Sequence, residues 1–526
     1  MTLNFFGKTF QWTFLLIILA ELLSLTIYLL PPLNQAVFLI IILLTLILSL
    51  MKLEYGFYLL LAELFIGGQG HLFDLNINGL TISIRMGLFL VILGAWIVKS
   101  QNYISRLKAK SYHRQGGIPP SIKNMWRDKL TAKSLIYFLL YTAILFGIVN
   151  GLTNNNLTNV FFDANAWLYF ALIPVFLTVI KDQKILENIF QILVAATSYL
   201  SLKTIVVLFL FSRNFAGVGG WFYHWLRASG VGEVTYISGT LFRVFFQSHV
   251  YVLISLLIVL FFLINQFKIK GGQKFTPHFI YIYLASLAIF ISQSRSYWVG
   301  AFVALIFLIV ILIWLAKIKI KKIALITAII AFSLISQFYL IELITGNYAG
   351  NLVAQRFKNL PQEAAGISRL NQLKPLSEAI FQKLIFGYGF GKTLTYESRD
   401  PRILQTHPDG IYTTYAFEWG YLDIALKLGV VGLGIYLALI GYLFYLGLKN
   451  YKLQITNYKQ ISNLKFQIPK TKSLNDALQT TSYQLQAGLL IGLITLIVTN
   501  IFSPYLNHPL GIGYVMLLTA IFNLKD

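Results

Sequence analysis

The sequence contains no cysteine, which excludes disulfide bonds, thiolate metal sites and thiol nucleophiles. Charged residues are also scarce: they make up 12% of the 526 residues, against 57% hydrophobic residues and a mean hydropathy of +0.71. This composition excludes a water-soluble protein. Apolar runs of nearly twenty residues recur without polar alternation, which predicts an all-α polytopic membrane protein and argues against a β-barrel.

Acidic residues are few, with 19 Asp and Glu against 42 Lys and Arg, and the net charge is +23. Such an excess can indicate nucleic-acid binding, but the lysines cluster in short loops between apolar runs, as they do in cytoplasmic loops. Part of the charge is expected to face anionic lipid headgroups. The pattern therefore predicts membrane lipids as partners and no nucleic acid.

Fourteen segments are candidate membrane spans, and the third and sixth are short, so we expect 12–14 transmembrane helices in one membrane domain of residues 1–526. The segments are residues 11–30, 34–51, 54–67, 83–98, 134–150, 166–180, 185–211, 249–266, 277–293, 297–315, 323–344, 422–448, 484–502 and 509–524. The first has no small-residue cleavage pattern and is expected to act as an uncleaved signal anchor.

The basic loops 99–133, 317–322 and 449–483 fall on one side when the spans alternate. The positive-inside rule makes this side cytoplasmic and places both termini there. Residues 345–421, before the twelfth span, then form one large extracytoplasmic loop, which we expect to be catalytic. Together with residues 212–248 this loop favours arginine over lysine, and the arginine fork suits bidentate binding of phosphate.

Charged residues inside the apolar runs are costly and call for an explanation. Lys203 lies in the outer half of its span, so we expect a cavity open to the outside beside it. Asp423 and Lys427 are four residues apart on one helix and are expected to pair with each other. Arg295 occupies a tight turn between two spans, where we expect it to be functional.

The seven histidines show no metal-ligand spacing, so no metal site is predicted. In the large loop, His407 lies near Asp409 and Arg402 in sequence and is a candidate general base. The alternative, a histidine that merely faces solvent, stays open.

The large loop also holds a predicted amphipathic helix at residues 377–385, between Pro375 and Gly387. The following residues 387–393 (GYGFGKT) superficially resemble a nucleotide phosphate loop, but the first glycine that such a loop requires would fall at Phe386. We expect instead a turn that allows close approach to a lipid headgroup.

Five motifs, taken in order, resemble those of the O-antigen ligase and polymerase superfamily. They are residues 239–243 (GTLFR), 294–300 (SRSYWVG), 369–373 (RLNQL), 384–391 (LIFGYGFG) and 418–433 (EWGYLDIALKLGVVGL). The last motif departs from the family pattern, because Glu418 stands where many members have a histidine.

The resemblance implies a membrane glycosyltransferase of the GT-C type, acting at the outer face of the cytoplasmic membrane without metal or other cofactor. Its donor would be a polyprenyl-diphosphate-linked glycan, and its acceptor a glycan or a lipid. Either Glu418 or His407 would be the base, and both ligase and polymerase activity stay open. The implied diphosphate-binding residues are Arg243, Arg295 and Arg369, with Arg213, Arg402 and Lys203 as secondary candidates.

A flippase for lipid-linked oligosaccharides is the alternative, since such transporters also have many spans and internal charges. Transporters often consist of two related halves, and this chain shows no such symmetry. A loop of 77 residues at 345–421 is also hard to explain in a flippase. The sequence therefore favours the enzyme.

Overall fold

The computed structural model describes residues 4–67, 73–77, 80–112, 132–215, 218–230, 232–266, 276–315, 320–347, 350, 364–464 and 473–524. Within these ranges the protein is mostly helical, and its strands form only two-stranded hairpins. The helices are α1 Lys8–Leu29, α2 Asn34–Met51, α3 Leu53–Ile66, α4 Ile84–Tyr112, α5 Ala132–Asn154, α6 Leu157–Leu168, α7 Ile173–Val179, α8 Gln183–Ser212, α9 Tyr223–Gly230, α10 His249–Gln266, α11 Thr276–Ser292, α12 Arg295–Val310, α13 Ile320–Thr345, α14 Ala364–Gln382, α15 Pro401–Leu404, α16 Gly420–Leu464, α17 Ser473–Phe502 and α18 Pro509–Phe522. The strands are β1 Asp74–Ile77, β2 Leu80–Ser83, β3 Gly232–Ser238, β4 Leu241–Phe246, β5 Leu394–Glu397 and β6 Ile411–Thr414.

The fourteen apolar segments fall mainly on helical residues, as predicted. In the described ranges, nine helices are long and apolar enough to cross a membrane, and four shorter apolar helices match further segments. The remaining segment corresponds to α3, which has 14 residues. The protein is therefore an integral membrane protein built from helices, whereas the number of spans and their orientation stay predictions.

Helix α17 lies near the centre of the bundle and packs against α10, α12 and α16. In its apolar part, Leu485–Phe502, 72% of the residues are buried, whereas only 22% are buried in α1. The exposed leucine and isoleucine side chains of α1 and α2 are those expected to face lipid, because no aqueous surface would favour them.

Charged side chains inside the bundle are neutralised by partners. The guanidinium of Arg85 donates to both carboxylate oxygens of Glu63, at 2.8 and 2.9 Å. The predicted pair of Asp423 and Lys427 is confirmed at 2.6 Å, and Asp163 approaches the same ammonium group at 2.5 Å. Pairing of this kind offsets the high cost of placing charge in an apolar interior.

Two hairpins, β3–β4 and β5–β6, lie close together, since Glu233 on β3 and Arg402 on α15, between β5 and β6, form an ion pair of 2.7 Å. The turn of β3–β4 contains Gly239, whose φ is 57°. Glycine adopts this left-handed backbone conformation readily because it has no side chain.

The helix predicted at residues 377–385 is wrong in its start, because α14 runs from Ala364 to Gln382 with Pro375 inside it. Proline removes one backbone donor from a helix interior and normally favours a boundary there. Contacts with the start of α16 stabilise the additional turns: the indole Nε1 of Trp419 donates to the carbonyl of Arg369 at 2.8 Å. Tertiary contacts thus outweigh the local signal.

Helix α16 is broken at Gly429, where φ is 67°. Residues 384–389 run alongside the break and pair with the backbone groups on both sides of it. The hydrogen bonds are Tyr388 N to Leu426 O, Gly389 N to Lys427 O and Val430 N to Leu384 O, at 2.9 Å each. A broken helix inside a membrane protein needs such substitutes, because lipid offers no hydrogen-bond partners.

The glycine run at residues 386–391 is packed against the helices. Gly387, Gly389 and Gly391 all have positive φ, and added Cβ atoms would lie within 2.7 Å of backbone atoms of α16, α5 and α6 respectively. Phe390 between them is fully buried. The expected approach to a lipid headgroup is therefore wrong, since these glycines allow close approach to neighbouring helices.

Candidate active site

The three arginines predicted to bind diphosphate come from three separate elements: Arg243 from β4, Arg295 from the start of α12, and Arg369 from α14. Burial lowers the pKa of Arg243, the carboxylate of Glu233 opposes that shift, and the positive charge of Arg369 adds to it. Arg295 lies within electrostatic range of both other arginines. The fold thus brings the three side chains together, although their role stays a prediction.

The side chain of Tyr505 also interacts with this cluster of arginines. Burial raises the pKa of its hydroxyl, and the charges of Arg243 and Arg369 act in the opposite direction. The hydroxyl groups of Tyr505 and Tyr297 contact each other, and both donate towards the carbonyl of Gln247, at 3.2 and 3.1 Å. This buried aromatic pair therefore lies within electrostatic range of the cluster.

Arg243 is held in a fixed orientation. Its Nε donates to the carbonyl of Ser292 at the end of α11, at 2.9 Å. Its guanidinium lies over the ring of Phe245, 4.8 Å from the centroid, and that ring stacks on Tyr297. An arginine anchored through Nε and one face keeps other N–H groups available for a ligand.

Glu233 joins three arginines and was not recognised in the sequence. Its carboxylate oxygens lie 2.7 Å from Arg402 and 3.7 Å from both Arg227 and Arg243. One negative charge therefore faces three positive charges, and it links the β3–β4 hairpin to the large loop. A signal was present, because Glu233 is the only acidic residue between positions 212 and 248.

Glu418 lies directly beside the arginine cluster, where its carboxylate accepts a hydrogen bond from Nε of Arg369. Its backbone N–H donates to Oε1 of Gln372, one turn further along α14, at 3.1 Å. The side chains of Glu418 and Arg369 are 42% and 40% exposed, so a substrate can reach both.

His407 occupies a different place, on the exposed turn after α15. Its Nδ1 shares a hydrogen bond of 2.9 Å with the hydroxyl of Thr406, and its ring packs edge-on against Tyr412. Its side-chain partners among the described residues are thus neighbours in the same loop, and not Glu418 or the arginine cluster. The geometry therefore favours Glu418 as the group near the arginines.

The secondary candidates have other partners. Arg402 binds Asp400 and Glu233 and thereby connects the two hairpins. Arg213 donates to the carbonyl of Leu343 at 2.8 Å, near the C-terminal end of α13, where a positive charge is favourable.

Lys203 is enclosed and not open to a cavity, contrary to our expectation. Its ammonium group pairs with Glu21 at 2.9 Å. The same group lies 5.1 Å from the ring centroid of Trp225 and 5.2 Å from that of Phe246. A lysine inside an apolar region needs such a counter-ion, and α1 supplies it.

Two further observations concern the chemistry that the site can support. Among the described residues, no group of three or more His, Cys, Asp or Glu side chains could hold a metal ion. The arginine cluster offers many N–H donors and a net positive charge, an arrangement that binds phosphate groups.

Comparison with known proteins gives one match. Residues 280–437 match the family model described as O-antigen ligase, whereas a search of curated proteins found no match. The matched segment runs from α11 into α16 and contains Arg295, Arg369, Glu418 and the glycine run. Residues 280–437 are therefore similar to the O-antigen ligase family, in the region where four of the five motifs lie.

Proposed function

We propose that this protein is a membrane glycosyltransferase that transfers or polymerises a polyprenyl-diphosphate-linked glycan. The acceptor is a glycan or lipid hydroxyl group, and no metal or other cofactor takes part. The reaction takes place at the outer face of the cytoplasmic membrane, in the large loop of residues 345–421. The family match gives no support to the flippase alternative.

The observation that supports this proposal best is the convergence of Arg243, Arg295 and Arg369 beside the carboxylate of Glu418. Like charges repel one another, so three arginines that Glu233 and Glu418 only partly neutralise are stabilised further when an anion joins them. A diphosphate carries the required charge and matches the planar guanidinium groups.

The proposed chemistry follows from this arrangement. The acceptor oxygen forms a bond to the anomeric carbon of the donor, and the bond from that carbon to the diphosphate oxygen breaks. Its electron pair leaves with the diphosphate, whose growing charge the arginines stabilise. Glu418 takes the proton of the acceptor hydroxyl.

The proposal is tested by replacing each cluster arginine with lysine, which keeps the charge but loses the fork. We expect Arg243→Lys, Arg295→Lys and Arg369→Lys to lower the rate of glycan transfer about 10- to 100-fold. This decrease is smaller than the decrease expected when a transition-state contact is removed entirely, because lysine keeps the positive charge. Arg399→Lys is the matched control, because Arg399 is exposed and pairs with Glu397. Equal activity in all four variants would contradict a diphosphate site in this cluster.

Ligase and polymerase activities differ in what accumulates when the gene is deleted. Single lipid-linked repeat units accumulate when a polymerase is missing, whereas finished lipid-linked polymer accumulates when a ligase is missing. Extraction of lipid-linked glycans followed by mass spectrometry distinguishes the two outcomes. If neither species accumulates, the proposed function is contradicted.

The orientation can be tested with single cysteines, because the chain has none of its own. A membrane-impermeant maleimide should label Pro408→Cys, on the exposed turn of the large loop, in intact cells. Lys465→Cys, in a predicted cytoplasmic loop, should be labelled only after lysis. The reverse result would place the arginine cluster on the cytoplasmic side.

A further inference from the structure

Gln293, between α11 and α12, combines two unfavourable features. Its side chain is buried, with only 1% of the residue exposed, and neither Oε1 nor Nε2 has a hydrogen-bond partner among the residues that the structure describes. Its backbone has a φ of 46°, in the left-handed region that residues with a side chain rarely adopt.

Both features are unusual in a folded protein. Most buried polar groups have a partner, and an unpaired buried amide is destabilising. Left-handed residues other than glycine are found preferentially at ligand sites, where strain is tolerated because it positions a functional group. Of the buried asparagine and glutamine side chains with an unpaired atom in the described ranges, Gln293 alone has both amide atoms unpaired.

The position of Gln293 connects it to the arginine cluster. The carbonyl of the preceding residue, Ser292, accepts the hydrogen bond from Nε of Arg243. Arg295 follows two residues later at the start of α12. The unpaired amide is therefore part of the same short turn that fixes one cluster arginine and carries another.

The two amide atoms restrict the chemistry of a partner. Oε1 accepts a hydrogen bond and Nε2 donates, so the matching group must offer both functions. A diphosphate offers acceptors only, whereas a sugar hydroxyl or acetamido group offers both. We propose that Gln293 binds the sugar attached directly to the diphosphate of the donor, an inference that rests on the proposed function.

The test uses two probes, farnesyl diphosphate and farnesyl diphosphate bearing N-acetylglucosamine, and the purified full-length protein in lipid nanodiscs. Isothermal titration calorimetry should show about tenfold tighter binding of the sugar-bearing probe to the wild type, the effect of one or two hydrogen bonds. Gln293→Met should bind both probes with similar affinity, while its affinity for bare farnesyl diphosphate stays within about twofold of the wild type.

Gln337→Met is the matched control. Gln337 is also 1% exposed, but its Nε2 donates to the hydroxyl of Ser286 at 2.7 Å. This variant should keep the preference for the sugar and lose thermal stability, because the hydrogen bonds that Nε2 donates are lost. Gln293→Met should instead melt at the wild-type temperature or above it, since it removes an amide that had no partner.

Three results would overturn the inference. The first is a Gln293→Met variant that still prefers the sugar-bearing probe, and the second is one that loses as much stability as Gln337→Met. The third is a wild-type protein that binds both probes equally well. A wild type that binds neither probe would contradict the proposed function itself, together with the inference that depends on it.

Discussion

Replacing Gly389 with alanine should destabilise the protein strongly, because both the backbone angle and the surroundings exclude a side chain. The φ of Gly389 is 78°, and an added Cβ would lie 2.2 Å from the backbone nitrogen of Gly151 on α5. A backbone atom in a packed helix cannot move aside as a flexible side chain can. Overpacking costs about 1–3 kcal/mol and the left-handed conformation about 1–2 kcal/mol, so we expect a loss of roughly 2–5 kcal/mol.

The same substitution at Gly434 provides the control. Gly434 lies inside α16, and an added Cβ would meet no atom within 4 Å. Alanine favours a helix over glycine by about 1 kcal/mol, so Gly434→Ala should be neutral or stabilising. Thermal unfolding of the two purified variants in detergent, followed by size-exclusion chromatography, measures the difference. If Gly389→Ala is as stable as Gly434→Ala, the packing of the glycine run against α5 is refuted.

Three further substitutions test the charged groups. Glu418→Gln should lower glycan transfer about 10²- to 10⁴-fold, while His407→Ala stays near wild type; the opposite result would assign the base to the histidine. Lys427→Met leaves two buried aspartates without their counter-ion and should cost about 3–5 kcal/mol in a denaturant titration, and unchanged stability would contradict the ion triad. Glu233→Gln should lower the donor KM more than it changes kcat, because Arg243 loses a counter-charge and attracts the diphosphate more strongly, whereas Glu397→Gln, on an exposed carboxylate, should behave as wild type.

Local features of the structure could be predicted from the sequence. The positions of the helices follow from hydrophobic runs, because every backbone polar group in lipid must be paired within its own helix. The contact of Asp423 with Lys427 follows from their spacing of four residues on one helix. Within the site, the candidate arginines and Glu418 were found through their order along the chain.

Contacts between distant segments could not be predicted. Asp163, which pairs with Lys427 beside Asp423, lies 264 residues before Lys427 in the chain. The role of the glycine run depends on where α5, α6 and α16 pass, and the sequence of the run carries no record of these neighbours. The start of α14 was misplaced for the same reason, since Pro375 is a local signal and Trp419 acts through tertiary contact.

The pairing of residues 384–389 with the broken helix fixes one end of the next part of the loop, residues 392–419. Gly391 is fixed through its N–H to Asp163 at 2.7 Å, and Gly420 packs against Asn500 at the start of α16. Both attachment points of residues 392–419 therefore belong to the rigid bundle. Chimeras joined at positions 391 and 420 would therefore keep both ends of the segment in place, provided that they retain Arg402, Glu418 and Trp419, which contact β3 and α14.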